Sequence, residues 1–290
     1  MIPYFQFTSF NIGPLTIQVW GLMVALGIIA AVILMRFYTK KYVLSEDVMI
    51  DMAIWAIVSG FIFARFFHVV FYNFQYYVEE PGEIIKFWHG GASSLGGFFG
   101  AVLAIYVFMK VRRFSWKEIV PYFDIGALGL WLGWGIGRIG CFLIHDHPGT
   151  LSSFVLAVRY PQAFSEGALA RLDSTAREMP MAGQQIFSRH DLGLYESIVG
   201  FVLFVIFLFL FKKLVRRGWG FVAILSSLSY AVVRFFLDFL RASDLHGSDV
   251  RYAHLTPAQW GMMAVVIALT TLLVFGMLRR RKINLEGEVA

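Results

Sequence analysis

The sequence predicts an all-α, polytopic membrane protein with about seven transmembrane helices and a small extracytoplasmic cap. Three observations carry that expectation. Of 290 residues, 58% are hydrophobic and only 15% charged, whereas soluble domains carry about 25% charged residues. Apolar runs approaching the roughly 20 residues that cross a bilayer recur along the chain. Between them Lys and Arg collect on alternate connections, as they do in cytoplasmic loops.

In order, the spans fall at about 16–38, 48–72, 94–111, 119–143, 193–211, 219–240 and 257–278. The N-terminal stretch has neither a basic n-region nor a small-residue cleavage site, so residues 17–35 read as a retained span. Alternate connections hold Arg36, Lys40 and Lys41; Lys110, Arg112, Arg113 and Lys117; Lys212, Lys213, Arg216 and Arg217; and the tail Arg279, Arg280, Arg281 and Lys282. The opposite connections are poor in cations: only Lys86 falls in 73–93, and residues 1–15 have none. The positive-inside rule then puts the C-terminus in the cytoplasm and the N-terminus outside. These loops account for the net charge of +6, so it is not a nucleic-acid signature. The 30 Phe and 8 Trp suit lipid-facing helices and interfacial belts. Cys141 is the only cysteine, which excludes an intrachain disulfide and a metal site built on several thiolates.

Residues 144–192 form a long outer loop with Pro148, Pro161 and Pro180. Loops beyond about 12–15 residues are usually functional or disordered. SFVLAVRYPQAF (153–164) suggests a short strand and ALARLDSTAREM (168–179) a surface helix. With no internal repeat, residues 1–290 read as a single domain into which the cap at 144–192 is inserted.

Three arginines lie inside apolar runs: Arg65 in VSGFIFARFFHVVFY, Arg138 in LWLGWGIGRIGCFLI and Arg234 in LSSLSYAVVRFFLDFL. Arginine keeps its charge in proteins. At bilayer depth it costs at least about 2.5–3.5 kcal/mol, so it needs a partner or a polar cavity. The three together suggest an intramembrane chamber for an anion. Tyr230, Arg234, Asp238 and Arg241 recur at spacings that share one helix face. Ion pairing of Arg138 with Glu196 or Asp238, and of Arg234 with Asp238, is the structural alternative, and a carboxylate can also aim an arginine at a phosphate. GWGIGRIGCF (133–142) matches GxGxxG by letter, but no strand precedes it, so its glycines read as packing room around Arg138. In GASSLGGFFGA (91–101), Gly96 and Gly97 fit either close helix packing or amides at a helix start that face an anion, with Ser93 or Ser94 as cap. LIHDHPG (143–149) and RHDLGLYE (189–196) set His145, Asp146, His147, His190 and Asp191 near the outer interface; a base or headgroup contact fits them better than a metal.

Together these segments resemble the bacterial prolipoprotein (phosphatidylglycerol) diacylglyceryl transferases. The similarity runs in register through VWGLMVALG (19–27), ARFFHVVFYN (64–73), GGASSLGG (90–97), GRIGCF (137–142), HDLGLYE (190–196) and YAVVRFFLDFLR (230–241). The resemblance implies a multi-pass enzyme of the bacterial inner membrane that uses no metal or cofactor. Its partners would be phosphatidylglycerol, the lipobox peptide of a preprolipoprotein and the lipid bilayer, with no nucleic acid. The reaction moves the diacylglyceryl group of phosphatidylglycerol to the lipobox thiol and releases glycerol 1-phosphate. Arg138 and Arg234 match the two essential arginines, and Asp146 stands where the family often has Glu; these three are the expected catalytic residues. Substrate-binding positions are Arg138, Arg234, Tyr230, Asp238, Trp20, Gly96, Gly97, Gly149, Glu196 and His190. The chain departs from the family pattern at Leu95, where a histidine is usual, at Cys141, where many members have Asn, and at Trp20, where many have Tyr. With Leu95 in place, Asp146, His145, His147, His190 and His89 are the candidates to receive the thiol proton. A non-enzymatic anionic-lipid binding or transport protein is the alternative that Leu95 suggests.

Overall fold

The structure, a computed structural model, describes residues 1–71, 74–86, 91–160, 187–244 and 251–288. Strand β1 (Ile2–Pro3) and the hairpin of β2 (Ser9–Ile12) with β3 (Leu15–Gln18) lead into α1 (Val19–Lys41). Then come α2 (Glu46–Phe71), α3 (Phe74–Glu79), a 3-10 turn (Pro81–Ile85), α4 (Ser94–Val111) and α5 (Trp116–Ile144). Strands β4 (Pro148–Leu151), β5 (Val158–Tyr160) and β6 (Phe187–Asp191) precede α6 (Leu192–Arg217), α7 (Phe221–Leu237), a 3-10 turn (Asp238–Leu240) and α8 (Pro257–Glu288).

Each expected span corresponds to a helix, and six are long and apolar enough to cross a bilayer. The exception is α4, whose 18 residues reach only about 27 Å at 1.5 Å per residue, short of the roughly 30 Å hydrocarbon core. The span expected at 219–240 is found at Phe221–Leu240, but its α-helix stops at Leu237. After Leu237 the chain tightens into the 3-10 turn, and Arg241 is already extended, with φ −69° and ψ 136°. The strand expected in 153–164 is β5. The surface helix expected at 168–179 lies outside the described residues, as do His89 and most of the cap.

The chain divides into two compact units. One is Val32–Ile125. Its central contact is α2 against α4, where small residues let two backbones meet. A Cβ on Gly96 would lie 2.4 Å from the Phe63 carbonyl oxygen, and one on Gly100 2.6 Å from that of Ser59. The Ser93 side chain caps α4 by accepting from the Gly96 amide, as expected, and the Gly97 amide donates to the Ser93 carbonyl. The close-packing reading of these glycines therefore holds, and their amides are spent inside the helix cap and do not face an anion.

The other unit is Met1–Ala31 with Gly126–Ala290. Here α5 is the hub. Gly133 meets the backbone of Gly27 on α1, Gly140 meets the backbone of Trp20, and Gly135 meets Gly200 on α6; a Cβ on Gly200 would lie 2.8 Å from the Gly135 nitrogen. The GxGxxG letters are thus notches for neighbouring helices. At the end of α5, His145 takes φ 53°, the left-handed conformation that commonly terminates a helix. Its buried ring bonds Asp191 Oδ2 at 2.6 Å and the Phe5 carbonyl at 2.7 Å. Asp191 also caps α6 by accepting from the Leu194 amide. A four-stranded sheet, in the order β1-β5-β6-β4, closes this end of the unit.

Candidate functional site

The cap fixes where α6 begins, and the glycine notches fix how closely it approaches α5. Glu196 is consequently carried, fully buried, to Arg138. Its Oε2 lies 2.9 Å from Arg138 Nε and its Oε1 lies 3.0 Å from Arg234 NH1 on α7. Arg234 NH2 reaches Asp238 Oδ1 at 3.1 Å, and Arg241 NH1 lies 3.9 Å from the same oxygen. The Asp238 carboxylate also accepts from the Thr256 hydroxyl. Of the ion pairs that the sequence offered as alternatives, Arg138–Glu196 and Arg234–Asp238 are present, so both carboxylates contact the arginines.

Among the described residues, the guanidiniums of Arg138, Arg234 and Arg241 share the two carboxylates of Glu196 and Asp238. The 3.0 Å contact between Arg234 NH1 and Glu196 Oε1 lacks hydrogen-bond geometry. Aromatic rings shape the surroundings: Arg138 stacks on Trp134 at 4.5 Å from the ring centroid, and Trp131 lies 4.9 Å from the Tyr230 ring. The Tyr230 hydroxyl donates to Glu196 Oε2 at 3.4 Å. In a buried setting such fixed charges act with little screening by water.

The cluster lies toward the sheet end of its helices. Arg138 is six residues before the end of α5, roughly 9 Å along the axis, and Glu196 is four residues into α6, roughly 6 Å. Beyond it, α6 and α7 form an apolar groove of about 550 Å³. Ile198 and Val233 lie near its charged end and Leu210 and Leu214 at its far end.

The sheet side adds a second group. Asp146 Oδ1 lies 2.5 Å from His147 Nδ1, and His147 Nε2 lies 3.4 Å from Arg138 NH1. The Cys141 thiol is 3.7 Å from that same NH1. Burial opposes charge on His147, but hydrogen bonds to Asp146 and Cys141 and the charge of Asp146 outweigh it. Its pKa is pushed up to about 9, with Arg138 pulling the other way. Donor atoms of Cys141, Asp146 and His147 lie within 4.8 Å of one another, spacing that invites a metal. The Arg138 guanidinium in contact with two of the three would repel one.

Other expected site residues are placed differently. Gly149 contributes its backbone: its carbonyl accepts from Arg189 NH1, and a Cβ there would lie 2.5 Å from the Leu240 carbonyl oxygen. Trp20 gives its backbone to Gly140 while its side chain is exposed. His190 Nδ1 bonds the Tyr195 hydroxyl at 2.7 Å, with Phe154 beside the ring. Gly96 and Gly97 belong to the α2–α4 contact. Arg65 belongs to the unit Val32–Ile125. Its side chain donates to the carbonyls of Glu83, Ile84, Lys86 and Gly91 within its own unit.

Sequence reasoning missed the Arg138–Trp134 stack, although the i, i+4 spacing was readable. It also missed Thr256, which no local signal ties to Asp238.

A family description, prolipoprotein diacylglyceryl transferase, matches residues 8–275. The chain is 33% identical over 255 residues to the phosphatidylglycerol–prolipoprotein diacylglyceryl transferase of Staphylococcus aureus (strain MRSA252), covering 87% of this chain and 84% of that protein. It is 31% identical over 262 residues to the protein of the same name from Bacillus velezensis, covering 89% of each.

Proposed function

The chain belongs to the prolipoprotein diacylglyceryl transferase family, and on that premise we propose that Arg138 and Arg234 bind the phosphate of phosphatidylglycerol, with Glu196 and Asp238 aiming them. The protein is a multi-pass membrane enzyme. It transfers the diacylglyceryl group of phosphatidylglycerol to the lipobox cysteine of a preprolipoprotein and releases glycerol 1-phosphate.

Sulfur forms a bond to the glycerol carbon as the carbon–oxygen bond to phosphate breaks, and the electron pair stays on the phosphate oxygen. Negative charge therefore grows on the phosphate in the transition state. Fixed donors aimed at growing charge are the most effective form of such help, and guanidinium forks suit phosphate oxygens. The observation that carries this assignment is Glu196, which ties both arginines to one carboxylate. Tyr230 holds Glu196 from the other side.

The apolar groove of α6 and α7 begins beside Glu196 and Arg234. This supports seating an acyl chain there, with the headgroup at the arginines. Lipid then enters from the bilayer and the peptide from the sheet side. The basic connections support a cytoplasmic C-terminus and an external N-terminus, which makes the sheet side extracytoplasmic. Residues 144–192 act as a cap within one transferase domain.

The test is direct. Purified protein is incubated with phosphatidylglycerol and a lipobox peptide, and the peptide is weighed by mass spectrometry. The expected result is a diacylglyceryl increment on its cysteine, lost in Arg138→Ala. Lipid binding with no increment would favour a carrier.

A further inference from the structure

We propose that His147, oriented by Asp146, receives the proton of the acceptor thiol; this rests on the transfer reading above. The reaction needs such an acceptor, because sulfur attacks as thiolate. The S–H bond breaks and its proton goes to His147 Nε2. The S–C bond then forms and the C–O bond breaks, with the electron pair leaving on the phosphate. The ring returns its proton to the departing phosphate or to water.

Three observations single out His147. Asp146 holds Nδ1 at 2.5 Å, and a carboxylate there keeps a proton on Nδ1, so that Nε2 is the nitrogen that exchanges one. That nitrogen sits 3.4 Å from NH1 of Arg138, the group assigned to the phosphate, so base and leaving group would share one neighbourhood. The His147 side chain keeps 25% exposure and that of Asp146 35%, so a peptide can reach them.

The other histidines are differently engaged. Both ring nitrogens of His145 are committed and its side chain is fully buried. His190 bonds Tyr195. The charged and titratable groups that face the His147 ring are Asp146, Arg138 and Cys141. The ring has a pKa of about 9, so near neutral pH its neutral form is the minor one; against about 8.5 for a free thiol, that form accepts a thiol proton slightly downhill. Cys141 is no covalent carrier. A diacylglyceryl thioether formed on it would be a dead end, since a thiol does not displace an alkyl thioether.

The experiment compares two lipobox peptides at neutral pH, one with cysteine and one with selenocysteine. A selenol is the stronger acid and is already ionised there, so it needs no base. His147→Gln should lower the cysteine rate by about 10²–10⁴-fold and the selenocysteine rate by only a few-fold. Asp146→Asn should show the same pattern with a smaller loss. The retained selenocysteine activity reports that the variants are folded. Equal losses with both peptides, or no loss with either, would overturn the assignment. Wild-type enzyme that modified neither peptide would remove the transfer reading itself, and this inference with it.

Discussion

Arg65 and Arg138 are the same residue in the same kind of apolar helix, and their side chains are used in opposite ways. In the unit Val32–Ile125, Arg65 donates to four backbone carbonyls and stacks on Tyr77 at 5.1 Å from the ring centroid. Carbonyls satisfy N–H groups without bringing a full negative charge, so the fork is consumed in pinning Glu83, Ile84, Lys86 and Gly91 to α2. In the other unit Arg138 gives Nε to a carboxylate and turns NH1 toward the Cys141 thiol and His147 Nε2. Both are poor partners compared with a phosphate oxygen. What separates a structural arginine from a functional one is the quality of its partners, and depth in the helix does not distinguish them.

Paired alanine variants put that contrast under the greatest strain. Arg138→Ala should cost transfer per folded molecule at least about 10²–10³-fold, the usual loss for one transition-state donor. Arg65→Ala should do the reverse. Four carbonyls lose their donors, at about 1–3 kcal/mol for each that stays unsatisfied. The melting temperature should fall while transfer per folded molecule stays within a few-fold. If Arg65→Ala abolished transfer in a protein of unchanged melting temperature, the contrast would be wrong.

Glu196→Gln ranks next. The amide keeps the shape but takes the buried countercharge from Arg138 and leaves Arg234 with Asp238 alone. Breaking such a pair by removing one partner costs about 3–5 kcal/mol. Both stability and transfer should drop, and Glu196→Asp should recover part of each. A variant as stable as wild type would mean that the arginines are neutralised from elsewhere.

Gly200→Leu tests the scaffold with a smaller change. Its side chain would run into the Gly135 nitrogen, the Gly135 Cα and the Trp131 carbonyl. All three are backbone and cannot yield as a side chain would. Overpacking of this kind costs about 1–3 kcal/mol. Transfer should fall with it, because α6 carries Glu196 away from Arg138.

These effects also mark what the sequence made legible. The helices were readable because spans this apolar are set by composition and length. Arg138, Arg234, Glu196 and Asp238 were readable because ionisable groups in such runs have few possible partners. The fate of Arg65 was not, since its acceptors include carbonyls of a short 3-10 turn and of the chain after it, and a carbonyl has no sequence signature. Gly96 and Gly97 carried two meanings, and only the position of Phe63 and the Ser93 cap chose between them. His147 stood among several titratable neighbours, and its register against Arg138 depends on how α5 ends at His145.

The mildest test concerns a third arginine, at the rim. Arg189 is almost buried at 8% side-chain exposure, but its partner Asp244 is 42% exposed, with contacts of 2.5 and 3.0 Å. The hydrogen bond from Arg189 holds the Asp244 carboxyl below the ordinary carboxylate range. A carboxylate whose pKa is lowered by folding contributes stability that is complete above its unfolded value and is lost as pH falls through the folded one. Exposure limits the gain to about 0–1 kcal/mol. Asp244→Asn should therefore melt slightly below wild type at neutral pH, and the two curves should converge as the solution is acidified through and below the carboxylate range. A gap that stayed constant with pH would show that Asp244 contributes shape rather than charge, and would remove the rim pair from the series in which an arginine's role follows from the partner it is given.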